Sequence, residues 1–403
     1  MVVGIISEYN PFHNGHLYQI EKIREEFGQD TAIVSVMSGN YVQRGGIAIA
    51  DKALRSKCAV LSGVNLVLEL PFPFSMSCAE IFARSAVHIM NSLGCVDVLA
   101  FGSENGNIEQ LTKIAKAMLS KEYATIMKEL NADKMHIGLG YPKMCELALR
   151  KINGANDGVE FTPNNILALE YIKSLISSSS TITPHTIERK SSSFSDESII
   201  SGSIQSATAI RCAINAKDIT ALEYVPHSNK TAILDAIKTG DFPCDEEKLA
   251  PAIISSFRLN SMTASEHIQD AAHGLYNRLR DISFETNTIY DMVISAESKK
   301  FTRSRVRRAI YNSYLSVTSS HVDELPAYTQ LLALDEVGRG ILKSIRKQCD
   351  FPIITKPSDY IEYGEAVIRQ KQMSDRADSV FQLSKPAPKD GNLALRFTPY
   401  VKK

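Results

Sequence analysis

The chain has 403 residues, 44% of them hydrophobic, long enough for two or three domains with cores of their own. Its 45 Lys and Arg balance 45 Asp and Glu, so overall charge argues for no polyanionic partner and any nucleic-acid site must be a local patch. With no signal-peptide pattern after Met1, no run near the ~20 apolar residues of a membrane span, and seven scattered cysteines without a C-x-x-C that read as reduced thiols, the expectation is a cytoplasmic protein with no membrane contact.

Residues 2–6 form a short β-rich run, and Ser7 to Phe12 is a polar turn carrying Pro11. Leu17, Ile20, Ile23 and Phe27 then recur at helical spacing until Gly28 closes the helix. At the joint, His13, Asn14, Gly15 and His16 spell H-x-G-H, a tetrapeptide that composition alone would produce about one time in a hundred. Residues three apart at a helix start face the same way, and the free N–H groups and dipole there favour an anion. Two imidazole donors so placed can stabilise an α-phosphate under in-line attack, while Gly15 lets a triphosphate approach the backbone. The plainer alternative is a pair of packing or surface histidines.

Strand and helix keep alternating: 31–37 strand, 51–61 helix, 64–70 strand, 78–93 helix, 96–101 strand. That alternation implies an α/β fold with a Rossmann-like parallel sheet, helices on both faces, and a ligand beyond the carboxyl ends of the strands. The polar segments 7–16, 38–46 and 101–106 fall at those ends. Ser38, Asn40, Gln43 and Arg44 read equally as a polar loop near a bound anion or as a solvated turn punctuated by Gly39 and Gly45. Neither G-x-G-x-x-G nor a Walker-type motif is present. Asn164 and Asn165 suit the cap of a helix running to Ile176. A serine-rich stretch, 191–206, leads into a helix opening Ser206-Ala-Thr-Ala-Ile-Arg211, where hydroxyls, the helix N-terminus and Arg211 could hold terminal phosphates, or where Ser206 is only a cap.

Six segments in this order, GIISEYNPFHNGH (4–16), SGNYVQRG (38–45), ELPFPFS (69–75), FGSE (101–104), PNNILALEY (163–171) and SATAIR (206–211), resemble those of the bacterial tRNA(Met) cytidine acetate ligases, members of the H-x-G-H nucleotidyltransferase superfamily. A weaker likeness continues through 300–315 and 334–356, so the resemblance covers most of the chain. It implies a nucleotidyltransferase-like domain at 1–225. There acetate and ATP give acetyl-adenylate, and the acetyl group passes to N4 of the wobble cytidine of elongator tRNA(Met). By the same resemblance His13, His16 and Arg211 are catalytic. Ser7, Glu8, Tyr9, Asn10, Pro11, Phe12, His13, Asn14, Gly15, His16, Gly102, Asn165, Arg189 and Ser206 bind ATP. Magnesium is expected only as the companion of ATP, since no metal-ligand cluster is visible. In one segment this chain departs from the family's Arg-x-Gly-Ala-x-Tyr-His-Asp: Arg189 is kept, but Ser191, Ser192, Phe194, Ser195 and Asp196 follow.

Beyond about residue 220 strand signals thin out and helical patterns run from 246 to 314, which suggests a mainly α-helical domain over 226–403. Lys299, Lys300, Arg303, Arg305, Arg307 and Arg308 put six cations into ten residues with no acid. On a helix whose buried stripe is Val306, Ala309, Ile310 and Ser313, they would fan outward and grip RNA phosphates without reading sequence. A solvated helix face is the commoner fate of such a run; the resemblance makes tRNA the expected partner. Residues 352–355 read as a strand, 337–340 as a turn or helix start, and 383–403 as a polar tail of the kind usually poorly ordered. Two rival functions remain: transfer of AMP or CMP to a small phosphorylated alcohol, and a tRNA-binding module without activity.

Overall fold

In the computed structural model the described residues are 1–104, 106–133, 140–152, 160–188, 205–259 and 267–403. Strands β1 (Val2–Ser7), β2 (Ala32–Ser38), β3 (Leu66–Leu70), β4 (Val98–Ser103) and β5 (Thr183–Glu188) form the parallel part of one sheet. Helices α1 (Asn14–Phe27), α2 (Lys52–Leu61) and α3 (Ala79–Leu93) follow the first three strands. Helices α4 (Ile108–Met118), α5 (Lys121–Ala132), α6 (Tyr141–Lys151) and α7 (Pro163–Ser177) lie between β4 and β5. After β5 come α8 (Ala207–Asn215), α9 (His227–Lys238) and a helical region of α10 (Ala250–Leu259), α11 (Leu275–Ser283), α12 (Ile289–Ala296), α13 (Arg303–Tyr314) and α14 (Ser319–Asp323). The chain then supplies β6 (Thr329–Leu334), α15 (Glu336–Gln348), β7 (Ile353–Ile354), α16 (Glu365–Phe381) and β8 (Tyr400–Val401).

The strand order is β5-β4-β1-β2-β3-β6-β7, with β8 also on β6. The chain builds outward from β1 through β2 and β3, then crosses to β1's other side for β4 and β5. The reversal leaves a crevice at the carboxyl ends of β1 and β4, the place where open α/β sheets bind ligands. Both sheet faces are buried because alternate residues feed different cores. Val34, Val36, Leu66 and Leu68 pack with Phe82, Ala86 and Met90 of α3 and Leu169 and Ile172 of α7. Ile33, Met37 and Val67 pack with Ile20 and Ile23 of α1, Cys58 and Ala59 of α2, Ile210 of α8 and Ile233 of α9. A third core joins α10 through α13 and includes Tyr41, Phe72 and Phe381, so the helical region packs directly onto loops of the sheet.

Strand boundaries differ from the sequence expectation by one or two residues, and the larger differences lie toward the C-terminus. Strand β6, buried at all six positions, pairs antiparallel with β3, so residues past 226 return to the sheet as well as forming the helical region. A uniformly buried Thr-Gln-Leu-Leu-Ala-Leu has no alternating pattern to read. The polar tail is also placed: Lys385 is 3% exposed and bonded to Asp51 (2.6 Å) and Asp241 (3.0 Å), and β8 pairs with β6. Residues 337–340 lie in α15, whose N-cap Asp335 accepts from the Gly338 amide at 2.9 Å. Thr162, not Asn164 or Asn165, caps α7.

Candidate active site

The histidines sit where β1 hands over to α1, at the carboxyl edge of the sheet. His13 is the N-cap of α1: its Nδ1 accepts from the Gly15 amide at 3.0 Å, and His16 Nδ1 accepts from the His13 amide at 3.2 Å. This is a capping box made of imidazoles in place of the usual Ser and Glu. Its chemical consequence is a fixed tautomer. Each Nδ1 accepts, so in the neutral ring each Nε2 carries the proton and is a donor. The rings lie 3.9 Å apart between centroids, tilted by 35°, and both line one cleft of about 680 Å³. Two donors side by side at a helix N-terminus fit the non-bridging oxygens of one phosphate.

The rest of the cleft converges on that point from separate elements. Ser7 ends β1, Glu8, Tyr9 and Asn10 come from the loop after it, Gly102 from β4, Glu188 from β5, and Ser206, Thr208 and Arg211 from the cap and first turns of α8. Ser206 caps α8 by accepting from the Ala209 amide at 3.0 Å. Arg211 donates to the Asn10 carbonyl (2.7 Å) and to Thr208 Oγ1 (3.1 Å), tying α8 to the histidine loop. Burial pushes the Arg211 and Arg44 guanidiniums down from their ordinary values, and the Glu8 carboxylate opposes the shift in both. Glu8 Oε1 itself accepts from the Gln43 amide at 2.7 Å, joining the loops after β1 and β2.

Four residues expected to touch ATP do not line the cleft. Phe12 is 1% exposed and packs on Tyr9 at 4.7 Å between ring centroids, supporting the loop from beneath. Pro11 lies in the turn before α1, and Asn14 is the first residue of that helix. Asn165 is 2% exposed; its amide oxygen accepts from the Glu104 backbone (3.2 Å) and its Nδ2 donates to the Glu160 carbonyl (2.9 Å). It fixes the end of β4 against α7, while its neighbour Asn164 lines the cleft and holds Glu104 Oε1 at 2.7 Å. Arg189 and Ser191 to Ser195 lie outside the described residues.

The basic run behaves differently from an outward fan. Lys299, Lys300 and Arg303 are exposed. Arg305 donates to the carbonyls of Asp270 and Ala272, and Arg308, 7% exposed, donates from Nε and Nη2 to the two oxygens of Asp270 (2.9 and 3.0 Å). Arg307 turns back to the cleft, with Arg303 and Ser304 beside it. Helical periodicity gave Val306, Ala309 and Ile310 of α13's buried face, but Ser313 is only half-buried and Arg308, Tyr311 and Asn312 are buried as well, because the carboxylates and carbonyls waiting in other segments are invisible to it.

Sequence reasoning also missed what holds the loops. Arg55 on α2 is 1% exposed and donates to the carbonyls of Ala50 (2.8 Å), Glu8 (2.6 Å), Ser38 (3.0 Å) and Gly39. Burial pushes its guanidinium down to about 10 against the pull of Asp51 and Glu8. Below it, Lys52 Nζ lies between Glu69 (2.8 Å to each oxygen) and Asp378 (2.6 Å), and Asn40 bridges the Lys52 amide and Asp378. Burial works against the Lys52 charge, but the two carboxylates outweigh it and hold the ammonium above its ordinary value. In the sequence these residues look like any charged positions of an amphipathic helix.

Comparison with known proteins agrees with this geometry. Residues 1–393 match the HIGH Nucleotidyl Transferase family. The chain is 40% identical over 365 residues to the tRNA(Met) cytidine acetate ligase of Caldanaerobacter subterraneus subsp. tengcongensis, covering 89% of each chain. It is 38% identical over 368 residues to that of Thermoanaerobacter sp. (strain X514), covering 90% of each. The crystal structure of Thermotoga maritima TmcAL bound with alpha-thio ATP superposes with a TM-score of 0.90 at 30% identity over the whole of both chains. With an imidazole capping box at the sheet's switch point and relatives of this identity along its length, the chain belongs to the HIGH nucleotidyltransferases and, among them, to the tRNA(Met) cytidine acetate ligase family.

Proposed function

We propose that this protein is an ATP-dependent ligase that activates acetate and acetylates N4 of the wobble cytidine in elongator tRNA(Met). The observation that carries the chemistry is the pair of Nε2 donors fixed over the α1 N-terminus in a cleft that four arginines, Arg44, Arg211, Arg303 and Arg307, also line. In the first step an acetate oxygen attacks the α-phosphorus, the bond to the β-phosphate oxygen breaks, and pyrophosphate leaves. His13 and His16 offset the charge that builds on the α-phosphate oxygens, and Arg211 faces the leaving phosphates. In the second step the cytidine amine attacks the acetyl carbon, the carbon–oxygen bond to AMP breaks, and the amine gives up one proton. Adenylation is needed because carboxylate oxygen is too poor a leaving group for a weakly nucleophilic amine.

Magnesium would come with the triphosphate and screen the departing pyrophosphate; among the described residues no cluster of three His, Cys, Asp or Glu side chains could hold an ion. Of the basic run, Lys299, Lys300 and Arg303 are exposed, which supports a role for them in meeting RNA phosphates. Among the described residues no helix is long and apolar enough to cross a membrane, and a cytoplasmic location, where tRNA is found, completes the proposal. The test is product analysis with ATP, acetate and tRNA. Free AMP and pyrophosphate that require both acetate and tRNA support the ligase; AMP retained on a small acceptor would overturn it in favour of nucleotidyl transfer.

A further inference from the structure

The turn at 42–46 is gripped from two sides. It closes on itself through Gly45 N to Val42 O (2.9 Å) and Val42 N to Gly46 O (3.1 Å), which puts Arg44 at its tip, within the cleft. On one flank of Arg44 the Gln43 amide is held by Glu8. On the other flank the Gly45 carbonyl accepts from Arg307 Nε at 2.9 Å, and Arg307 is itself held by Glu246 Oε2 at 2.5 Å. Tyr311, one turn further along α13, donates to the same Glu246 oxygen at 3.1 Å.

The fit between α13 and this turn leaves no slack. Gly45 has φ +87° and Gly46 φ +106°, conformations that favour glycine. A Cβ on Gly45 would lie 2.5 Å from the Arg308 backbone nitrogen, and one on Gly46 would lie 2.4 Å from the Arg307 guanidinium. Such close approach across more than 250 residues of sequence shows the turn and the helix shaped to one another.

From this geometry we infer that Arg307 is a positioning residue of the adenylation step: it sets Arg44, through the Gly45 carbonyl, against the triphosphate. Arg44 is then the phosphate-binding group, and the basic run divides its cations between two tasks, with Arg307 supporting the nucleotide site and the exposed Lys299, Lys300 and Arg303 left for RNA. The inference rests on the ATP-dependent reading given above. It runs against the sequence expectation that Arg307 binds RNA.

Acetate-dependent exchange of labelled pyrophosphate into ATP, run without RNA, separates these roles. Arg307→Ala is expected to slow exchange about tenfold or more and Arg44→Ala at least as much, on the scale of a lost transition-state donor. Because Arg307 acts through Arg44, the double variant should be no slower than Arg44→Ala alone. Gly45→Ala, which removes no charge but pushes the turn from the helix, should reproduce the Arg307→Ala loss. Arg307→Lys, which keeps the charge but cannot span both Gly45 and Glu246, should fall between, and it serves if the alanine variant fails to fold. Unchanged exchange in Arg307→Ala or Arg307→Lys, with loss confined to the tRNA step, would overturn the inference, as would multiplying losses in the double variant. A wild-type protein that catalyses no acetate-dependent exchange would instead refute the ATP–acetate reading itself.

Discussion

Replacing Lys52 by methionine removes the one cation between two buried carboxylates and keeps the side-chain volume. Lys52, Glu69 and Asp378 have side chains only 3–6% exposed, and Lys52 supplies both of the hydrogen bonds that the Glu69 carboxylate receives. Asp378 keeps the Asn40 donor at 2.8 Å; Glu69 keeps none. Breaking a buried pair this way costs about 3–5 kcal/mol. The loss should depend on pH with a definite sign. Burial pushes the Glu69 carboxyl up while Lys52 pulls it down, so without Lys52 it rises further. A carboxyl whose folded value exceeds its unfolded value of about 4.3 is penalised fully above the folded value, and the penalty shrinks as pH falls. Urea unfolding of wild type and Lys52→Met followed by circular dichroism, at pH 8 and pH 5.5, should show a larger deficit at pH 8. Adding Glu69→Gln should recover a substantial part of it. A deficit below about 1 kcal/mol, or one that grows on acidification, would refute the buried-triad account.

His16→Ala should lower the rate of acetate-dependent pyrophosphate exchange by about 100-fold or more while costing only about 1 kcal/mol of stability through the lost capping interaction, read by exchange and urea unfolding. Cys212 is the one exposed cysteine of seven and lines the cleft, whereas burial pushes the Cys58 and Cys244 thiols up to about 12. Brief alkylation followed by peptide mass spectrometry should therefore label Cys212 first, and saturating ATP should slow that labelling; labelling of Cys58 ahead of Cys212 would contradict the packing. Replacing Lys299, Lys300 and Arg303 by alanine should raise KM for tRNA and reduce the slope of log affinity against log salt by up to about 2 to 3, measured by filter binding at several salt concentrations.

The first hundred residues are legible because their physics is local. The β-branched, apolar run at 31–37 and the helical spacing at 51–61 can be read from short windows, and His13 and His16 stand at a strand–helix joint where only a few side-chain types make sense. The histidines' tautomer was not legible, since it depends on which backbone amide each ring meets. Asn165's own contacts were not legible either: its side chain ties the end of β4 to the start of α7 through two backbone groups that no local pattern announces. Strand β6 was missed because its Thr-Gln-Leu-Leu-Ala-Leu has neither the alternation of a half-exposed strand nor the β-branched run that marks the equally buried β2. Arg55, Lys52 and Arg307 were unreadable for a different reason. Their partners lie up to 326 residues away, and a charged residue on an amphipathic helix gives no sign of whether it meets water or a distant carboxylate.

The most direct test of the whole account is to incubate the purified protein with ATP, magnesium, isotope-labelled acetate and bulk bacterial tRNA prepared without the modification, then digest the RNA and separate its nucleosides by mass spectrometry. The account predicts label in N4-acetylcytidine that requires ATP and disappears in His16→Ala. Protein and tRNA of proven competence that yield no labelled N4-acetylcytidine, or a His16→Ala variant that acetylates at the wild-type rate, would contradict it.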